Sequence, residues 1–298
     1  MPFLTVFTAP KPFTNPHIAT IQRNAIQSWI NLGPEVEVLL MGNEIGMSDI
    51  AKEFGIRHFP GVKCSDQGTP YINSMFDVAR DASESPYLAI LNADIMLMPD
   101  FVKAAEQVGA LADNFLFLGR RYDLDIQYEF DFSAGWEVRL RDEVKKNGTL
   151  HGPVGSDYFL VPRHLLTDMP EFTIGRSGWD NWTIYHAVTL GWQVVDVTRS
   201  AMIVHQNHDY SHLPGNKPPY DLPETKQNIS IAGGMKSMYT ILEANKILVD
   251  GELRAAPVSI PRILHAIELR VTDDELHGRR KSFVRWLKKT RRKYENQL

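Results

Sequence analysis

The chain has 298 residues, 43% of them hydrophobic and 23% charged, with a net charge of -4. That length suits one large domain or two fused ones, and the apolar share supplies a sizeable core. The acidic balance excludes nucleic-acid binding driven by overall charge. The one cysteine, Cys64, excludes an intramolecular disulfide and fits a reducing cytoplasm.

No stretch approaches the roughly 18–20 apolar residues of a membrane span, and the first residues carry no basic, apolar leader pattern. A cytoplasmic protein is therefore expected, and the N-x-S/T triplets at Asn147, Asn181 and Asn228 are read as chance. Charge is unevenly spread. Residues 279–293 hold nine Lys/Arg and no acid, which leaves the rest of the chain strongly acidic.

Residues 3–8 are short, apolar and β-rich, and predict a buried strand. Asn15-Pro16 then starts a helix, with Ile18, Ile21, Ala25, Trp29 and Leu32 at helical spacing and Gly33 as its stop. A second strand is expected over 36–41, a short helix over 48–54 and a third strand over 56–59. Tyr71, Ile72, Met75, Phe76 and Ala79 mark another helix, and Tyr87–Leu91 a fourth strand. A helix from Pro99 leads to a fifth strand, Phe115–Leu118. This alternation predicts an α/β protein with a mainly parallel sheet covered by helices. Ligands in such sheets bind at the loops after strand C-termini, here Thr8–Lys11, Gly42–Glu44 and Asn92–Asp94. Later elements are less regular: helices over 134–147 and 180–190, strands over 157–161, 194–197 and 201–205, then a polar Pro-rich loop over 206–223. Helices are expected over 235–249, 261–270 and 273–294.

Several constellations could carry chemistry. An apolar strand delivers Asp94 to an edge, where a carboxylate can hold Mg²⁺ or Mn²⁺ on a diphosphate; a turn or capping role is the alternative. His205 ends another strand, followed by His208 and Asp209, and imidazole suits such ions; a hydrogen-bonded core histidine is the alternative. Asp180 lies between Trp179 and Trp182 at a helix start. Trp faces can bind sugar and Asp can take a hydroxyl proton, or all three can be cap and core. Asp157 opens a strand and could bind acceptor hydroxyls, or merely turn the chain. Arg120 and Arg121 could clamp a diphosphate, or pair with Asp123 and Asp125. No P-loop, G-x-G-x-x-G or G-x-S-x-G is present, which argues against kinases, dinucleotide oxidoreductases and α/β-hydrolases.

The order of apolar strand, Asn92-Ala93-Asp94, Gly178-Trp179-Asp180, helix, and strand ending in His205 resembles the family 2-like glycosyltransferases of the GT-A fold. The resemblance covers residues 3–210. It implies a Rossmann-like mixed sheet flanked by helices, here with a helical C-terminal extension. It also implies a metal on the diphosphate of a nucleotide sugar, with Asp94 as the last acid of a D-x-D-type motif, Asn92 in place of the first, and His205 as a further ligand. Donor contacts fall to Thr8, Pro10, Gly42, Asn43, Glu44, Thr69, Asn92, Ala93, Arg120 and Arg121. Asp180 takes the place of the base of inverting members, although Trp179 stands where many have Glu. Asp157, Trp179, Trp182 and His208 are the expected substrate contacts.

The resulting expectation has three segments. Residues 1–122 bind the nucleotide sugar, 123–223 bind the acceptor, and 224–298 form the extension. The expected activity moves a sugar from a nucleoside-diphosphate sugar to a hydroxyl of a glycan or lipid-linked acceptor with Mn²⁺ or Mg²⁺. A sugar nucleotidyltransferase and a non-catalytic glycan-binding or assembly protein are the alternatives; the first wants a Gly-rich basic loop, which Thr8–Pro12 is not. Phe283, Trp286, Leu287 and Tyr294 among the cations of 279–293 predict an amphipathic helix on an anionic membrane surface, at the cytoplasmic face. Packing of that helix on the protein body is the alternative. No nucleic-acid partner is expected.

Overall fold

A computed structural model describes residues 1–208, 219–273 and 277–295. Asp209, Asp274 and most of the expected 206–223 loop lie outside the described residues. The first half follows the predicted alternation. Strands β1 (Leu4–Thr8), β2 (Val36–Met41), β3 (Arg57–Phe59) and β4 (Tyr87–Leu91) are parallel, linked by helices α1 (Pro16–Ile30), α2 (Met47–Phe54) and α3 (Ile72–Ala82). Asn15 caps α1 by accepting the Ile18 N–H, and Pro16 occupies the first turn, so this helix start follows local chemistry.

Beyond β4 come the two-residue β5 (Ile95–Met96), helix α4 (Pro99–Leu111), β6 (Phe115–Leu118) and β7 (Tyr122–Leu124). Helix α5 (Trp136–Asn147), β8 (Thr149–Leu150), β9 (Tyr158–Pro162), α6 (Trp179–Thr189), β10 (Gln193–Asp196) and β11 (Val204–Gln206) follow. The rest comprises α7 (Pro223–Ile231), the hairpin β12 (Lys246–Val249) and β13 (Glu252–Ala255), α8 (Ile260–Val271) and α9 (Gly278–Arg292).

One nine-stranded sheet has the order β13-β12-β10-β6-β9-β4-β1-β2-β3. It is a mixed sheet flanked by helices: β9 runs antiparallel between β4 and β6, and β13 antiparallel to β12. The sheet draws strands from all three expected segments. Its two faces bury separate cores, one holding Trp29, Phe101 and Phe117, the other Phe7, Phe76 and Phe159. A second sheet, β5-β11-β7-β8, carries the site's histidine strand and covers a third cluster around Trp136.

The expected helix over 235–249 is not formed. Single 3-10 turns cover Met235–Ser237 and Ile241–Glu243, and Lys246–Val249 joins the large sheet as a strand. The physical reason is the turn that follows. Asp250 and Gly251 both take positive φ, 53° and 80°, the Asp-Gly geometry that closes a two-residue hairpin. The extension is thus helices plus a sheet-edge hairpin. Among the described residues, no helix is long and apolar enough to cross a membrane.

Candidate active site

The site lies where β1, β2 and β4 end. Asp94 follows β4, and its neighbour Ile95 pairs with His205 across the β5–β11 ladder. That register brings two residues far apart in sequence to one point. Helix α1 holds the ladder from beneath: the buried Trp29 indole N–H donates to the Ile95 carbonyl at 2.8 Å, and Ser28 Oγ accepts the Leu97 N–H at 3.0 Å. Gln206 donates from its amide to the Asp94 carbonyl at 3.2 Å and to that of Ile21 at 2.7 Å. Buried polar groups need such partners, and here they also fix the loop that carries Asp94.

One potential ligand atom each from Asp94, His205 and His208 lie within 4.8 Å of one another. His208 Nε2 is 3.1 Å from Asp94 Oδ2. The other oxygen, Oδ1, is buried without a hydrogen-bond partner, a costly state for a carboxylate unless a cation meets it. One carboxylate and two imidazoles form a donor set suited to Mn²⁺ and related divalent ions. The residues present therefore fit a metal.

Burial alone would raise the Asp94 carboxyl. The hydrogen bond from His208 and the charges of His205 and Lys11 overcome this and hold it well below the usual carboxylate range. Lys11 responds in the opposite sense: burial lowers its ammonium, and Asp94 partly restores it. Gln22 fastens the Lys11 backbone in both directions, accepting its N–H at 2.6 Å and donating to its carbonyl at 3.0 Å.

These groups open into a cleft of about 500 Å³. Of the residues singled out from the sequence, Thr8, Pro10, Gly42, Glu44, Thr69, Asn92, Ala93, Asp94, Arg121, Asp157, His205 and His208 line it. Asp157 gets there because β9 is antiparallel: its start lies beside the end of β4, and the Asn92 N–H donates to the Asp157 carbonyl at 2.8 Å. The Asn92 amide also donates to Asp157 Oδ1 at 2.9 Å, and Arg121 pairs with Asp157 and Asp123.

Other expected residues lie elsewhere. Asn43 faces solvent, because Gly42 turns the chain at a φ of 107°. Arg120 is buried behind the cleft, donating from Nε to the His151 carbonyl at 2.6 Å and from its backbone to Thr198 Oγ1 at 2.8 Å. Trp179 and Trp182 are core residues. Trp179 meets the Phe159 ring edge-on at 5.4 Å, and Trp182 stacks on His186 at 4.5 Å and packs on Phe172. The reason is that α6 buries Trp179, Trp182, Thr183, Ile184 and Ala187, so little of its apolar surface is left for a sugar. Asp180 is half-buried outside the cleft lining, with Oδ1 accepting the Gly178 N–H at 3.2 Å. Burial pushes its carboxyl up, against backbone N–H groups of Asn181, Gly178, Asp180 and Ser156.

The structure gives roles to further residues, of which Lys11 in the loop after β1 and Asp123 as a partner of Arg121 were within reach of the sequence. Lys11, Gln22, Gln67 and Arg176 line the cleft. Asp123 stands behind it as a hub. Its Oδ1 is 3.4 Å from His205 Nδ1, a long contact that leaves this buried nitrogen without a good hydrogen bond, and 3.0 Å from Arg121 Nε. Its Oδ2 is 2.6 Å from His151 Nδ1. Burial opposes ionisation of Asp123, but His205, His151 and Arg121 hold its carboxyl well below the usual range. A carboxylate hydrogen-bonded to a ligating histidine orients its ring, and Asp123 lies within reach of that role. The register pairing Asp123 with His205 on β7 and β11 places it there. The buried Glu224 of α7 accepts from Ser65 Oγ at 2.6 Å, Thr69 Oγ1 at 3.0 Å and Arg176 Nε at 2.8 Å, so it joins two loops that wall the cleft. No local motif marks either acid.

No protein-family model matches the chain, and no curated protein matches it. The solved structures similar to it include two bacterial proteins. One is glucosyl-3-phosphoglycerate synthase from Mycobacterium tuberculosis, solved with Mn²⁺, uridine diphosphate and glucosyl-3-phosphoglycerate. It is 18% identical over 87% of this chain and 88% of that one, with a TM-score of 0.46. The other is residues 1–349 of S. aureus TarS, 12% identical over 78% of this chain and 65% of that one, with a TM-score of 0.47.

Proposed function

We propose that the protein is a metal-dependent glycosyltransferase that moves a sugar from a nucleoside-diphosphate sugar to a hydroxyl of a glycan or lipid-linked acceptor. The observation that carries this reading is the convergence of Asp94, His205 and His208 at a cleft that Arg121 and Arg176 also line, with Asp94 Oδ1 unsatisfied. Asp94, His205 and His208 would hold the ion. An ion held there would supply positive charge to a nucleoside-diphosphate leaving group.

The remaining roles belong to the chain's own side chains. Thr8, Pro10, Gly42 and Glu44 from the loops after β1 and β2, with Thr69 from the loop after β3, line the cleft and take the nucleoside. Lys11 and Arg121 supply positive charge for the diphosphate, and the Asn92–Asp157–Arg121 chain of contacts keeps the guanidinium in place. Asp123 steadies the His205 ring. Asp180, in the first turn of α6 and outside the cleft lining, takes the proton of an acceptor hydroxyl that reaches it from beyond the donor cleft, with inversion at the anomeric carbon. Burial raises its carboxyl and leaves it without an ion-pair partner among the described residues, whereas Asp157 is held in an ion pair with Arg121.

A panel of nucleotide sugars tests the reading, with release of nucleoside diphosphate followed with Mn²⁺, with Mg²⁺ and with chelator. Metal-dependent release from at least one donor is expected. Release of pyrophosphate from a nucleoside triphosphate and a sugar phosphate would instead make the protein a nucleotidyltransferase. Donor binding without any turnover would make it a binding protein.

A further inference from the structure

Helix α9 has two unlike sides. One is structural: Val284, Leu287 and Arg291 are buried, α9 packs along α8, and Arg291 and Lys288 reach Glu268 at 3.3 and 3.5 Å. The expected apolar face is therefore divided, and Leu287 belongs to the protein body. The other side has no cover among the described residues. Phe283 and Trp286 are 44% and 56% exposed, and their rings stack at 5.8 Å and 16°.

Around that pair Arg279, Lys281, Arg285, Lys289, Arg292 and Lys293 are all exposed. None of them forms an ion pair with a described residue, and no acid interrupts residues 279–293. A single-sign row of this kind repels itself and is relieved by a polyanion. Two large exposed aromatics within the row add a need for an apolar boundary. An anionic lipid surface meets both needs at once, because headgroups take the cations while Trp and Phe settle at the boundary with the acyl chains. The geometry suits a plane: a straight helix of 15 residues presents about 22 Å of length.

We propose that the outward side of α9 docks the protein on an anionic lipid surface through these cations, with Phe283 and Trp286 inserted at the headgroup boundary. Docking of this kind holds the protein at a bilayer surface. It requires neither metal nor donor, so it stands or falls separately from the proposed transfer reaction.

Removing the helix is a poor test, because Val284 and Leu287 pack on the body. Surface substitution in the full chain is better. Sedimentation with phosphatidylglycerol/phosphatidylcholine vesicles at low salt should carry down the unmodified protein, and pure phosphatidylcholine should not. Arg285→Glu, Lys289→Glu and Arg292→Glu together should lower partitioning by about tenfold or more. Phe283→Ala with Trp286→Ala should lower it by about threefold or more and leave salt dependence in place. Far-UV circular dichroism and melting should match the unmodified protein in both variants, since every altered side chain is exposed. Raising the salt should release the unmodified protein. Failure of the unmodified protein to sediment overturns the proposal, as does equal sedimentation of the charge-reversed variant. Retention on heparin without vesicle binding also overturns it.

Discussion

Two aspartates, Asp94 just after β4 and Asp180 in the first turn of α6, each serve the proposed chemistry, yet their surroundings push them in opposite directions. Asp94 lies among His208, His205 and Lys11, and these hold its carboxyl down against burial. Asp180 lies at the start of α6 with backbone N–H groups and no ion-pair partner among the described residues, and burial wins. Burial acts on both; the difference is whether hydrogen-bonding and basic side chains arrive from other elements. For Asp94 they come from the β1 loop and from β11 with the residues just after it, brought in by sheet register. One environment suits a permanently ionised ligand and the other a proton acceptor.

One pair of substitutions breaks the metal side. Asp94→Ala and His205→Ala should each weaken Mn²⁺-dependent nucleotide-sugar binding by at least about tenfold, roughly 1.4 kcal/mol. Calorimetric titration in the presence and absence of Mn²⁺ reads this, and full affinity in both variants would remove the metal assignment. The other side of the comparison is broken by Asp180→Asn. Transfer should fall by about 10²-fold while donor affinity holds, because a base touches the acceptor and not the donor. Unchanged turnover would leave Asp180 as a residue that only orders the helix start.

Two further effects sharpen the contrast. Asp123→Asn should lower Mn²⁺ affinity by about tenfold, the low end for a residue that orients a ligand. Electron paramagnetic resonance of free Mn²⁺ gives that number, and rescue by Asp123→Glu would separate orientation from general damage. The second is a pH effect. The folded-state value of Asp180 lies above the unfolded value of about 3.9, so its ionisation costs stability as pH rises through that window. The melting temperature of Asp180→Asn relative to the unmodified protein should therefore shift upward between pH 3 and pH 7. A downward shift would mean that the folded carboxyl is not raised.

The smallest expected effect on activity concerns the tryptophans. Trp182→Phe should leave the Michaelis constant for the donor nearly unchanged, because Trp182 packs on Phe172 and His186 within the core. Its cost should appear in stability, about 1–3 kcal/mol by denaturant unfolding. A large rise in the Michaelis constant would put the indole back in the substrate pocket.

Much of this layout was legible from local pattern. Short apolar strands ending in polar residues identified β1, β2 and β4, and so found Thr8, Gly42 and Asp94 at one edge. Asn15-Pro16 marked the start of α1 through capping chemistry. What failed depended on partners distant in the chain. Strands β5, β7 and β8 are two or three residues long and exist only through pairing, so no period could reveal them. Asp123, Lys11, Arg176 and Glu224 gain their roles by contact with residues dozens of positions away. The tryptophans misled because a sugar platform and a core indole read alike in one dimension. The Asp250-Gly251 turn is a local signal for the hairpin that the expected helix over 235–249 left unused.

The most direct test of the central claim is a binding measurement on the unmodified protein. Uridine and guanosine diphosphate sugars are titrated with Mn²⁺ and then with excess chelator, and the series is repeated with Asp94→Ala. The account predicts saturable binding of at least one donor that chelator and the substitution weaken alike, by about tenfold or more. Donor binding that persists unchanged in chelator and in Asp94→Ala would contradict it.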